Sequence, residues 1–213
     1  MLCGADEAGR GPVLGPLVVA AVAVEDEEAL RSIGVRDSKR LSPPQRERLY
    51  HEITEACSYE VISLSPRHID EGRSRMSLNM IEADAFASVL RPYRSHSLFV
   101  DCADANEATF AEAIRSRLGG CGPLVCRHRA DDLFPVVSAA SIIAKVIRDR
   151  AILSIQDEVG EEIGSGYPSD PKTVAFLERW INDKGNPPPF ARCSWETTRR
   201  MIGRAKNSRL TDW

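Results

Sequence analysis

The stretch ADEAGRGP, residues 5–12, places two adjacent acids, Asp6 and Glu7, just before Gly9, Arg10 and Gly11. Acids recur where two other apolar runs end: Asp101 closes SLFVD, and Asp131 and Asp132 follow PLVCRHRA. Carboxylates gathered at one place repel each other strongly unless something compensates them. Hard divalent cations take oxygen ligands and remove that cost. Two such ions about 3.5–4 Å apart can clamp a phosphodiester for in-line attack by water. Without a metal, at least one of these acids should keep its proton with a raised pKa. Scattered over separate caps and surface ion pairs, the same acids would do no chemistry at all.

Neighbouring residues of a regular strand point to opposite faces. Asp6 and Glu7 are therefore expected to meet one metal only if the strand bends at Glu7, or if Glu7 contributes from its edge or its carbonyl. Gly9 and Gly11 favour such a departure and let backbone amides approach a ligand closely, while Arg10 between them can meet a phosphate. A plain tight hairpin would use the same glycines.

The surrounding pattern supplies elements able to hold these residues. Leu2 to Ala8 reads as a central strand, Val13 to Val24 as a second strand, and Tyr59 to Leu64 as a third. Ser42 followed by two prolines marks a helix start. Apolar spacing predicts helices over residues 77–90, 105–118 and 135–158. In the last of these, Ser138, Ser141, Lys145 and Arg148 lie off the apolar stripe. A further helix is expected over 171–182. After the break at Pro187–Pro189, a short basic helix runs from Ser194 to Lys206. Strand-rich, then alternating, then helical order predicts an α/β fold. A mixed central sheet flanked by helices occupies residues 1–165, with a small helical extension over 166–213.

With 213 residues the chain is long enough for one full core or a core plus an appendage. The net charge of −3 is unevenly spread. Seven Lys/Arg against Glu196 and Asp212 leave residues 184–213 at +5, and the remainder at −8. An acidic body with a basic end suits a protein that takes both metal cations and a polyanion. The six cysteines form no CxxC pair or zinc spacing and read as small core residues of a cytoplasmic protein. The apolar run 13–24 is too short to span a bilayer.

The blocks GADEAGRGPVLGPLVVAAV, DSKRL, VDCADAN, HRADDLFPVVSAASIIAKVIRDR and GSGYPSDPKT together resemble type 2 ribonuclease H (ribonuclease HII). RAD..FPVVSAASI and SWETTRR look most like its archaeal branch. The resemblance runs from Cys3 to about Arg200, with five separate blocks in the family's order. It implies a ribonuclease H-like fold. It also implies endonucleolytic cleavage of the RNA strand of RNA–DNA hybrids, and at single ribonucleotides embedded in duplex DNA, leaving 5′-phosphate and 3′-hydroxyl ends. Two divalent ions, Mg²⁺ or Mn²⁺, would be held by Asp6, Glu7, Asp101 and Asp131. Asp131 is chosen over Asp132 because the family's acid stands four residues before the proline, here Pro135. By the same resemblance Gly9, Arg10 and Gly11 sense the ribose 2′-hydroxyl, the group that separates RNA from DNA. Tyr167 packs on the following sugar, Lys39 lies near a backbone phosphate, and Ser138, Ser141 and Lys145 flank the site. Arg199 and Arg200, in the basic end, are expected to hold the duplex with salt-dependent affinity.

The final residues NSRLTDW place Asn207, Leu210 and Trp213 at i, i+3 and i+6. This resembles a degenerate sliding-clamp-binding peptide, lacking the usual Gln and second aromatic. A monomer is expected, with no membrane association. Transposases and junction resolvases also use clustered acids but lack the Gly-Arg-Gly and GYP blocks. An actin-like phosphotransferase would need a glycine-rich nucleotide pocket, and no P-loop occurs. A non-catalytic hybrid binder would not need the full set of acids.

Overall fold

The computed structural model describes residues 1–35 and 41–211, with the side chains of 208–211 excepted. Lys39 and Trp213 lie outside the described residues. Five strands, β1 (Leu2–Ala8), β2 (Leu17–Val24), β3 (Ser58–Leu64), β4 (Ser97–Asp101) and β5 (Leu124–Arg127), form one sheet in the order β3-β2-β1-β4-β5. β1 runs antiparallel to β2 and parallel to β4, and β4 runs parallel to β5. The described helices are α1 (Glu28–Ile33), α2 (Pro43–Ala56), α3 (Pro66–Arg73), α4 (Leu78–Leu90), α5 (Glu107–Leu118), α6 (Ala130–Leu133), α7 (Pro135–Val159), α8 (Pro171–Lys184) and α9 (Glu196–Thr211). No described helix is long and apolar enough to cross a membrane.

Local chemistry explains most boundaries. Ser77, Asn106 and Asp170 accept the backbone N–H of Met80, Thr109 and Lys172, starting α4, α5 and α8. Two features depart from the sequence expectations. Residues 13–16 are not part of β2: Gly15 has φ +82° and Pro16 carries no N–H, so the strand starts at Leu17 while Leu14 makes an isolated bridge to Ala191. Asp131 does not end a strand either. β5 stops at Arg127, Arg129 turns through φ +57°, and Asp131 sits in the first turn of α6.

The chain divides into two compact units interleaved along the sequence. One comprises Met1–Ala8, Val18–Ser63 and Met76–Ile147, and the other Gly9–Leu17, Leu64–Arg75 and Arg148–Trp213. In the first, every residue of β2 is buried, as expected for a strand covered on both faces. Val18, Ala20 and Val22 share a core with Val136, Val137, Ala140 and Ile143 of α7. In the second, Val13, Leu14, Ile152, Ile163, Phe176, Leu177, Ile181 and Met201 form a separate core.

β1 and α7 approach so closely that a Cβ added at Gly4 would lie 2.3 Å from the Val136 carbonyl carbon and 2.4 Å from the Val137 nitrogen. Backbone, unlike the end of a flexible side chain, cannot swing aside. Gly4→Ala is therefore expected to destabilise the protein by about 1–3 kcal/mol or more, read as a lowered thermal midpoint.

Candidate active site

The first unit contains the carboxylates. The β1–β4 ladder ends at Ala5↔Val100, so the last residues of β1 run past the paired part of β4, and Asp101 sits at the β4 terminus. There, one carboxylate oxygen from each of Asp6, Glu7 and Asp101 lies within 4.8 Å of the other two. This arrangement needs no break in the strand. β1 pairs regularly with β2 through Glu7↔Val19 and Ala8↔Val18, so of the three expected routes it is Glu7 reaching from its edge, not a bend or its carbonyl, that fits the carboxylate grouping. The Asp6 carboxylate folds along its own strand and accepts the Glu7 N–H at 2.7 Å. The β1–β4 pairing stops at Ala5↔Val100, so Asp6 and Glu7 lie past its last pair with Asp101 following on β4, and Glu7 carries one more methylene than Asp6.

Asp131 is buried but does not belong to that three-carboxylate group. Its helix is tied to the group by its preceding residue, because the Ala130 N–H donates to Asp101 Oδ1 at 2.6 Å. Asp132 points its carboxylate to the Arg129 guanidinium, at 2.8 Å from Nε and 2.7 Å from Nη2. The two neighbouring acids are thus distinguished by burial and by partner.

Asp6 is 4 % exposed. Burial, and next the charge of Asp101, push its carboxyl up to about 7, against the Ser141 hydroxyl, the Glu7 amide and the Lys145 ammonium, which favour the ionised form. Lys145 Nζ in turn donates to Ser141 Oγ at 2.9 Å. Ser138 and Ser141 are buried, so the polar side of α7 is not a solvated flank in this unit. The sequence could not reveal this, because serines opposite an apolar stripe look the same in either setting. Three convergent oxygens, one retaining a proton because of burial and next the charge of Asp101, fit a hard divalent cation, whose charge would favour the ionised form.

The second unit contains the Gly-Arg-Gly segment and Tyr167. Gly9 has φ +87°, and a Cβ there would meet the Pro16 carbonyl oxygen at 2.6 Å, so this position requires glycine. Val13 and Leu14 donate their N–H groups to the Gly166 carbonyl at 2.8 and 3.2 Å. Those bonds draw the two glycine-containing loops together, and a Cβ on Gly11 would lie 3.6 Å from Tyr167 Cε1. Tyr167 stands on a loop, 38 % exposed, with the Arg148 guanidinium 5.1 Å from its ring centroid.

Sequence reasoning misplaced Arg192, one of the seven basic residues assigned to the charged end. It is 0 % exposed, and burial and next the charge of Arg148 pull its pKa down to about 10. No sequence signal distinguishes it from its surface neighbours. Arg199 is exposed and donates to the Ser194 carbonyl through Nε and Nη2; Arg200 is also exposed.

The model of the family described as Ribonuclease HII matches residues 3–198. The chain belongs to the ribonuclease HII family. A ribonuclease HII of Methanoregula boonei is 44 % identical over 213 residues, covering 100 % of both chains. The crystal structure of ribonuclease H2 from Pyrococcus horikoshii is similar with a TM-score of 0.89 at 42 % identity, covering 96 % of this chain and 98 % of that one. The PCNA:RNase HII complex from Archaeoglobus fulgidus contains a chain similar with a TM-score of 0.87 at 40 % identity, covering 94 % and 96 % respectively. Membership of this ribonuclease HII family makes the protein an endonuclease of the ribonuclease H type, metal-dependent and directed at the RNA strand of RNA–DNA hybrids. The ribonuclease H-like α/β fold expected from the sequence is the one found.

Burial and next the charge of Asp101 put the Asp6 carboxyl at about 7 in the fold, against 3.8 when exposed. The native state therefore binds the extra proton between these values. Its contribution to stability is fully present below the lower value and lost as pH rises through the upper one. A cation needs the ionised form, so Mn²⁺ affinity should rise with pH and level off above about 7. Calorimetry in buffers of different ionisation enthalpy should show proton release at about pH 6. Asp101→Asn should move the Asp6 transition to lower pH.

Proposed function

We propose that this chain cleaves at single ribonucleotides embedded in duplex DNA as well as in longer hybrids, by metal-dependent hydrolysis leaving 5′-phosphate and 3′-hydroxyl ends. The convergence of Asp6, Glu7 and Asp101 at the end of the β1–β4 pair carries this reading. Asp6, Glu7 and Asp101, with Asp131, would hold two divalent ions, Mg²⁺ or Mn²⁺. When bound, such ions supply the positive charge that favours attack by water and departure of the 3′-oxygen. The chain's own side chains prepare that site. Ser141 and Lys145 favour the ionised form of Asp6, and the Ala130 amide fixes the orientation of Asp101.

Ribose recognition is assigned to Gly9, Arg10 and Gly11, whose backbone can approach a 2′-hydroxyl. Tyr167, next to Gly11, supplies an exposed ring for a sugar face. Lys39, Ser138 and Lys145 are assigned to substrate, and Arg199 and Arg200, within the 166–213 extension, to the duplex backbone.

A duplex with one central ribonucleotide should be cut at that residue in the presence of Mg²⁺ or Mn²⁺, and not in EDTA or when the strand is all DNA. Asp101→Asn should lower this rate by orders of magnitude with an unchanged circular dichroism spectrum. Near-normal turnover by that variant would remove Asp101 from the site.

A sliding-clamp partner is a second assignment, favoured by the Archaeoglobus fulgidus relative, whose structure was determined with PCNA. Asn207, Leu210 and Trp213 would make the contact. Removing residues 207–213 should abolish capture by an archaeal clamp while leaving cleavage of a short duplex intact.

A further inference from the structure

The buried Arg192 guanidinium spends its donors on backbone carbonyls of one loop. Nη2 donates to the Gly9 carbonyl at 2.6 Å, Nη1 to the Arg10 carbonyl at 3.0 Å and Nε to the Gly15 carbonyl at 3.0 Å. Trp195 extends the row, its Nε1–H donating to the Gly11 carbonyl at 3.2 Å, and the Arg192 guanidinium lies 4.8 Å from the Trp195 ring centroid. The segment bearing both residues is itself anchored. The Cys193 and Ser194 N–H groups donate to the two Asp70 oxygens at 2.7 and 2.9 Å, and the Arg192 N–H donates to the Val13 carbonyl at 2.8 Å.

A planar trans peptide unit points its C=O and N–H in opposite directions. Holding the Gly9 and Arg10 carbonyls against Arg192 therefore turns the Arg10 and Gly11 N–H groups the other way. The next unit offers no donor, because residue 12 is proline. We propose that Arg192, with Trp195, is a positioning residue pair for ribose recognition: it aims the Arg10 and Gly11 amides as a fixed donor pair at the 2′-hydroxyl of the substrate. Arginine is required because its planar fork meets several acceptors at once, whereas a lysine ammonium on a flexible stem cannot span carbonyls of residues 9, 10 and 15 together. The inference rests on the assignment of Gly9–Gly11 to the ribose.

The test compares equilibrium binding, in EDTA, of a duplex with one central ribonucleotide and of the same duplex in DNA alone, for the wild type, Arg192→Lys and Trp195→Phe. Wild type should prefer the ribonucleotide. Arg192→Lys should lose about tenfold or more of that preference, a lost charge-assisted hydrogen bond or more, while binding all-DNA duplex as wild type does. Trp195→Phe keeps the ring and removes one donor, so it should lose a smaller part of the preference, and it serves if Arg192→Lys does not fold. A residue that only stabilised the fold would scale both affinities alike. A wild-type preference retained by the folded variants overturns the proposal. A wild type without any preference overturns the loop assignment itself, and the proposal with it.

Discussion

Everything in the first unit depends on concentrating acidic groups where water is scarce. Asp6 sits buried at the end of a central strand with Asp101 beside it, and in isolation this is unfavourable. The protein tolerates it by letting Asp6 keep a proton up to about 7 and by placing the Ser141 hydroxyl, the Glu7 amide and the Lys145 ammonium around the same carboxyl. The site is thereby in tension, which a divalent cation would relieve. Metal dependence is in this sense a consequence of where the sheet ends and not only of which residues are acidic.

The sheet supplies that tension through its topology. The pairing of β1 with its parallel neighbour β4 ends at Ala5↔Val100, one residue before Asp6, while β4 itself runs on to Asp101. Asp101 arrives from β4, and the Ala130 amide at the start of α6 orients it. The close approach of β1 and α7 at Gly4 brings the helix carrying Ser141 and Lys145 down onto the same strand. A larger residue at position 4 would push this helix away from Asp6.

The second unit solves a different problem: holding a short glycine-containing loop in one conformation. Its answer is external. A buried arginine and a tryptophan grip the loop's carbonyls, and the Gly166 carbonyl receives the amides of Val13 and Leu14. A loop with glycines on both sides of one residue is permissive by itself and takes one conformation only when its peptide planes are fixed from outside.

The linear sequence was sufficient for the α/β class, for most helix starts, for the family and for the acids worth watching. Helix caps and apolar periodicity are local, and the five blocks keep their order along the chain. Three things required the folded chain. The first is the meeting of Asp6 with Glu7, which strand alternation argues against and the early end of the β1–β4 ladder allows. The second is the difference between Asp131, which is buried, and Asp132, exposed and bound by Arg129, since adjacent aspartates look alike until their surroundings are built. The third is Arg192, counted with the surface charge by composition and found under the Gly-Arg-Gly loop. Burial and long-range hydrogen bonding join residues 177 or more positions apart, a separation across which one sequence carries no readable pattern.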